Sequence, residues 1–167
     1  YIRLLQASTN PALLTEKIDL NNLGFFFDEV DFSVEGALDS KEIAEAKQKT
    51  YFDLNVDSIK TPKFEKGMQL IRQLVSEGKK VLVWGMFVGT MRKIHQELNN
   101  AGIFSHLIYG ATPKDDRVDL INEFRDGDVQ VLISNPATLG ESISLHQSVH
   151  DAVYFEYNFN LTFMLQS

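Results

Sequence analysis

The segment Gly110-Ala111-Thr112-Pro113-Lys114-Asp115-Asp116-Arg117 carries the residue types that a phosphate-binding turn needs. It follows an apolar run and opens a helical pattern, and backbone N–H groups at a helix start attract anions. Thr112 is placed to cap that helix, while Lys114 and Arg117 add positive charge. The plainer reading is a well-capped helix whose charges are solvated. A second candidate is the stretch Asn135 through His146, which is small and polar between two apolar runs. Such loops bring hydroxyls and backbone amides to ligands, although Ser and Thr also serve as local caps. A third, Phe25-Phe26-Phe27-Asp28-Glu29-Val30-Asp31, imitates the strand whose Asp holds Mg2+ in nucleotide hydrolases. Its plainer reading is an acidic, partly apolar insertion.

Several chemistries are excluded. The only Gly-Lys pair, Gly78-Lys79, follows a helix where a phosphate-cradling loop would precede one, and no G-x-G-x-x-G occurs. A nucleotide would therefore have to be handled with a partner surface. His95, His106, His146 and His150 lack metal-ligand spacing and read as structural or surface residues. With no cysteine, disulfides and thiolate zinc sites are ruled out, and a reducing cytoplasm is permitted. Phe and Tyr fall at core spacing and form no stacking platform. The net charge of −7 disfavours general nucleic-acid binding. Residues 21–60 account for −5 of it, however, so a local phosphate surface elsewhere is allowed. No apolar run approaches a membrane span, and no signal peptide is visible.

Regular elements must position these loops. Tyr1 to Gln6 reads as a helix already under way, and Asn10-Pro11 as a turn or a new helix start. Ser40 and the helix formers after it predict a helix over 39–53. From Thr61 the pattern becomes regular. Thr61 and Pro62 open a helix with Phe64, Met68, Ile71 and Val75 on one face, ended by Gly78. Residues 80–84 read as a buried strand, and Phe87, Met91, Ile94 and Leu98 mark a helix closed by Gly102. Then come a strand at 105–109, a helix at 113–124 with Val118, Ile121 and Phe124 on one face, and a turn at 126–128. A strand at 129–133, a loop with a short helix at 135–148, a strand at 151–155 and a helix from near Asn160 complete the series. Strands alternating with helices imply right-handed crossovers and a parallel sheet. Ligands in such sheets bind at the carboxyl ends of the strands, here Trp84-Gly85-Met86, Tyr109-Gly110-Ala111, Ser134-Asn135-Pro136 and Glu156-Tyr157-Asn158.

The order of these pieces resembles the second RecA-like lobe of superfamily 2 helicases, most closely the Swi/Snf-like ATP-dependent DNA translocases. Thr61-Pro62-Lys63-Phe64 and Lys80 through Phe87 are similar to the lobe's entry and motif IV. Tyr109 through Arg117 with Ile121-Asn122-Glu123-Phe124 is similar to the family's G-x-t-x-x-x-R … i-x-x-F segment. Val131 through Ser134 with Ala137 through Leu145 resembles motif V, and Val153 through Asn160 the strand and turn before motif VI. Gln166-Ser167 resembles the opening of motif VI. Arg3 through Ala7 and Asn10 through Leu14 resemble the helical segment preceding the lobe. Motif V departs from the family's A-G-G-x-G-x-N-L: it is one residue longer, with Ser144 where Asn is common.

The resemblance implies an α/β, three-layer RecA-like lobe with a mostly parallel β-sheet flanked by helices. Residues 1–60 would be a helical lead-in with an acidic insertion, and 61–167 an incomplete helicase C-terminal lobe. It implies that the parent is an ATP-dependent DNA helicase or translocase with ATP and Mg2+ as cofactors, and that this stretch alone is inactive and binds neither. The partners implied are the N-terminal RecA-like lobe of the same chain and double-stranded DNA, in a bacterial cytoplasm. Gly140, Glu141 and Gln166 would face ATP, and Gly110, Thr112, Lys114, Arg117 and Thr138 would meet strand phosphates. The arginines of motif VI would fall just beyond Ser167, so no catalytic residue is expected within 1–167. Arg117 has an alternative role in an ion pair inside its own lobe. The competing readings are an RNA helicase lobe and a stand-alone α/β protein-binding or regulatory module.

Overall fold

The computed structural model describes residues 2–15, 59–139, 145 and 148–156. The expected helix at 39–53, the Phe25–Phe27 run with Asp28 and Glu29, and the helix near Asn160 lie outside the described residues. The chain divides into two compact units, residues 1–61 and 62–167.

In the first unit, helix α1 (Ile2–Thr9) passes into a 3-10 turn at Pro11–Leu14. Pro11 lacks an N–H and loses nothing at the first position of a turn. Arg3 Nη1 donates to Gln6 Oε1 (3.1 Å) and to the Leu13 carbonyl (2.8 Å), tying the helix to the turn. The Thr61 hydroxyl donates to the Thr9 carbonyl at 3.1 Å.

The second unit alternates helices and strands. These are α2 (Pro62–Ser76), β1 (Val81–Trp84), α3 (Val88–Asn100), β2 (Ser105–Ile108) and α4 (Lys114–Asp126), followed by β3 (Val131–Ser134), α5 (Pro136–Leu139) and β4 (Asp151–Tyr154). Gly78 and Gly102 sit at φ of 77° and 76°, the left-handed conformation that ends α2 and α3 with little steric cost.

All the described strand pairs are parallel, in the order β2-β3-β1-β4. The central strands β1 and β3 bury both faces, as parallel strands do, and the edge strands β2 and β4 are partly covered. Val81, Val83, Val131, Ile133 and Val153 point to one face, where they pack with Phe64, Met68, Ile71 and Val75 of α2 and Met91, Ile94 and Leu98 of α3. Leu82, Trp84, Ile108 and Leu132 point to the other, against Ile121 and Phe124 of α4 and Leu139 of α5. The result is three layers, α/β/α. The β1-to-β2 connection runs over one face and the β2-to-β3 connection runs back over the other, so the two crossovers share one hand.

One helix face differs from expectation. Val118 is 59% exposed, while Ile121 and Phe124 are buried. At about 100° per residue, Val118 stands roughly 120° around α4 from Phe124 and misses the sheet. Leu120 packs against the core in its stead.

Candidate functional site at the carboxyl edge of the sheet

The chain leaves β1 towards α3 on one face and leaves the adjacent β3 towards α5 on the other. That reversal lies at the carboxyl ends of β1 and β3, the place where open α/β sheets form a ligand crevice. The loops that border it are Gly85-Met86-Phe87 after β1, Tyr109 to Pro113 after β2, Asn135 onward after β3 and Glu156 after β4.

The β2–α4 loop is built by Thr112 and Arg117. The Thr112 amide donates to the Tyr109 carbonyl (2.9 Å), and the Tyr109 amide donates back to Thr112 Oγ1 (3.1 Å). Thr112 therefore closes the turn and does not cap α4; Pro113 takes the cap position, without a side-chain bond. Arg117 lies one turn into α4 and reaches back. Its Nε donates to the Thr112 carbonyl (2.8 Å) and its Nη2 to the Gly110 carbonyl (2.9 Å). The ion pair weighed for Arg117 is thus replaced by bonds to backbone carbonyls, which hold the loop and leave other guanidinium N–H groups outside these bonds. Arg92 of α3 braces the same loop from its other side, donating to the Tyr109 hydroxyl (2.9 Å) with its guanidinium 5.3 Å from the ring centre. Lys114 is exposed at the first helical position, and Asp115 and Asp116 follow in the first turn, where helix polarity favours negative charge.

Gly110 is exposed at the tip. A Cβ built there meets nothing within 4 Å, and its φ is not in the left-handed region. Neither internal packing nor backbone strain requires glycine at this position.

The β3–α5 loop starts beside the β2 loop, since Ile108 pairs with Ser134 in register. The buried Ser134 hydroxyl donates to the Ile108 carbonyl at 2.6 Å and fastens the two strand ends together. Asn135 Oδ1 accepts the Thr138 amide at 2.8 Å, an N-cap with Pro136 at the first helical position. Thr138 is thereby placed at this edge with a half-buried side chain. The structure thus brings Gly110, Thr112, Lys114, Arg117 and Thr138 to one edge of the sheet. Gly140, Glu141 and Gln166 lie outside the described residues.

The β4 end, one of the strand ends marked in the sequence, holds an acid that was not singled out as a site residue. Glu156 is 3% exposed. Its Oε2 accepts the Met86 amide at 3.0 Å, and the Phe87 amide and the Thr90 hydroxyl also face the carboxyl. Burial pushes its pKa up, while the Met86 amide, the Thr90 hydroxyl, Lys63 and the Phe87 amide oppose that shift. The signal in the sequence was its place at the expected carboxyl end of the fourth strand.

Among the described residues, no group of three or more His, Asp or Glu side chains is placed to hold a metal ion. His95 bonds to Ser105 Oγ (2.9 Å) and His106 to Glu123 (2.7 Å), both away from this edge.

A parallel sheet covered on both faces, with its polar loops gathered on the carboxyl edge, is a RecA-like α/β lobe. The chain belongs to the helicase conserved C-terminal domain family, which matches residues 62–167. No curated protein matches the chain. Among solved structures it is similar to the C-terminal part of the Fun30 ATPase domain, at 17% identity and a TM-score of 0.64, over 98% of this chain and 60% of that one. It is also similar to the Sulfolobus solfataricus SWI2/SNF2 ATPase C-terminal domain, at 20% identity and a TM-score of 0.54, over 88% of this chain and 66% of that one. A third likeness is to the Pyrococcus furiosus Hef helicase domain, at 23% identity and a TM-score of 0.55, over 77% of this chain and 27% of that one.

Proposed function

We propose that this chain is the second motor lobe of an ATP-dependent DNA helicase or translocase of the Swi/Snf-like kind. In this reading it completes an ATP site shared with an N-terminal RecA-like lobe and grips the phosphates of one DNA strand. The first lobe brings the Mg2+ and the phosphate loop, Gly140, Glu141 and Gln166 face the nucleotide, and the lobe alone is inactive. Closure on ATP and opening after hydrolysis would step the two lobes along duplex DNA in the cytoplasm.

Membership of the helicase family and likeness to the C-terminal part of the Fun30 ATPase domain and to a SWI2/SNF2 ATPase C-terminal domain support the motor reading. The observation that carries the strand-contact reading is Gly110. Glycine is used where a ligand must approach the backbone closely, and Gly110 has open space around it with no internal reason to lack a side chain. Lys114, Arg117 and Thr138 share its edge, so an approaching phosphate meets donors there.

The test is ATP hydrolysis by the two-lobed protein with duplex DNA, single-stranded DNA and RNA. Duplex DNA should stimulate the rate most. Gly110→Val should leave stability within about 0.5 kcal/mol, as for an open surface site, yet raise the duplex concentration needed for half-maximal stimulation. Stimulation by RNA alone would transfer the lobe to an RNA helicase. A protein without ATPase activity would remove the motor reading.

A further inference from the structure

Three buried side-chain atoms make no hydrogen bond among the described residues: Trp84 Nε1, Thr90 Oγ1 and Glu156 Oε1. All three stand near the carboxyl end of β1, the border of the crevice. Unsatisfied buried groups are rare and call for a reason. The other oxygen of the same Glu156 carboxyl, Oε2, is bonded, and its surroundings show what the group holds. Helix α3 begins at Val88 with Phe87 in the cap position, and no side chain of its own caps it. Its leading amides must find an acceptor. Glu156, just past β4 and 70 positions away, accepts the Met86 amide just before that helix at 3.0 Å, and the Phe87 amide faces the same carboxyl. A Cβ at Gly85 would stand 2.6 Å from Met91 Cγ, so glycine there serves the packing of α3, while Glu156 Oε2 at 3.6 Å would be in ordinary contact with it. The backbone bond from the Phe155 amide to the Trp84 carbonyl (2.9 Å) closes the same junction one residue earlier.

We propose that Glu156 is a positioning residue, whose buried carboxyl locks the β1–α3 loop to the point where the chain leaves β4. The loop borders the crevice, and the residues that follow Glu156 lead towards the segment resembling motif VI. A single carboxyl thus sets two borders of the site against each other. The functional consequence rests on the motor reading above; the lock itself does not. Lys63 of α2 is the charged side chain facing this carboxyl, and Thr90 of α3 is the neutral one.

Two measurements on the two-lobed protein test the proposal. Hydrogen exchange at Met86 and Phe87 should accelerate by about tenfold or more in Glu156→Ala, and stay near the wild-type rate in Glu156→Gln, whose amide oxygen still accepts. Should the alanine variant not fold, Glu156→Asp, one methylene short of the loop, takes its place. DNA-stimulated kcat should fall by roughly tenfold in Glu156→Ala with the KM for ATP within about twofold, and Glu156→Gln should recover most of it. Val131→Ala, a core cavity at the amino end of β3 and so at the opposite edge of the sheet from the loop, controls for simple loss of stability and should keep its kcat. Unchanged exchange in Glu156→Ala overturns the proposal. So does a kcat loss shared equally by Val131→Ala, or one that glutamine does not recover. If wild type hydrolyses no ATP with any nucleic acid, the motor reading fails, and the exchange rates alone decide whether the carboxyl locks the loop.

Discussion

Replacing Gly67 by alanine should destabilise this protein, although glycine within a helix is ordinarily the costlier residue. Gly67 lies inside α2, where alanine would gain about 1 kcal/mol of helix propensity. Against that, an added Cβ would stand 2.5 Å from Phe155 Cζ, 2.7 Å from Cε1 and 3.1 Å from Cε2. Carbon atoms pack at about 3.5–4.0 Å, so the ring must retreat by roughly 1 Å. It has little room to do so. Phe155 is 2% exposed and rests against Phe64, ring centres 5.7 Å apart and planes tilted by 60°. Overpacking of this kind costs about 1–3 kcal/mol. The net expectation is a loss of about 1 kcal/mol, seen as a lower urea midpoint and a Tm lower by roughly 4 °C. In a Phe155→Leu background the obstruction is gone, and the same Gly67→Ala change should stabilise by about 1 kcal/mol. A stabilising Gly67→Ala in the wild-type background, or the same sign in both, would refute the reasoning. Because Phe155 immediately precedes Glu156, the single variant should also quicken exchange at Met86.

Lys80 reaches across the sheet to the end of α4, where its Nζ donates to the carbonyls of Phe124, Gly127 (2.7 Å) and Val129 (3.4 Å). Lys80→Met removes that donor and should cost about 1–3 kcal/mol in urea unfolding; an unchanged midpoint would show that water serves these carbonyls equally well. Asn135→Ala should cost about 1 kcal/mol through loss of the cap on Thr138, with Asn135→Asp largely restoring it; equal losses in both variants would mean the cap is not the cause. Burial raises the folded-state pKa of Glu156, so the folded chain keeps a proton that the unfolded chain releases. That contribution is complete below the unfolded value and fades as pH rises through the folded one. Wild type should therefore lose stability relative to Glu156→Gln as pH is raised from about 4, and a difference independent of pH would falsify the buried assignment.

Much of the lobe was legible in the sequence because its causes are local. Apolar residues at helical spacing marked α2 and α3, and the left-handed glycines Gly78 and Gly102 mark where those helices stop. The run from Val81 to Trp84 is apolar throughout because both faces of a parallel strand are covered, and that also fixed the fold class. The order of the motifs then pointed to the helicase family. The site was legible only as a place. Strand ends predicted the edge on which Gly110, Thr112, Lys114, Arg117 and Thr138 stand, but not what each side chain holds. Thr112 could equally cap α4 or close its own turn, and the path of the loop chose the turn. Arg117 had charge to offer a phosphate or an acid, and two loop carbonyls came within reach. Val118 had the right composition for the core, but the rotation of α4 on the sheet left it outside. Glu156 was marked only as part of a strand end, and the pairing of β4 with β1 is what set its carboxyl against Met86. Periodicity and capping act over a few residues, so the sequence by itself determined the elements, their order and the family. Strand order, helix rotation and the partners of Lys80, Arg117 and Glu156 depend on groups brought together from distant positions, and only packing in three dimensions decides those.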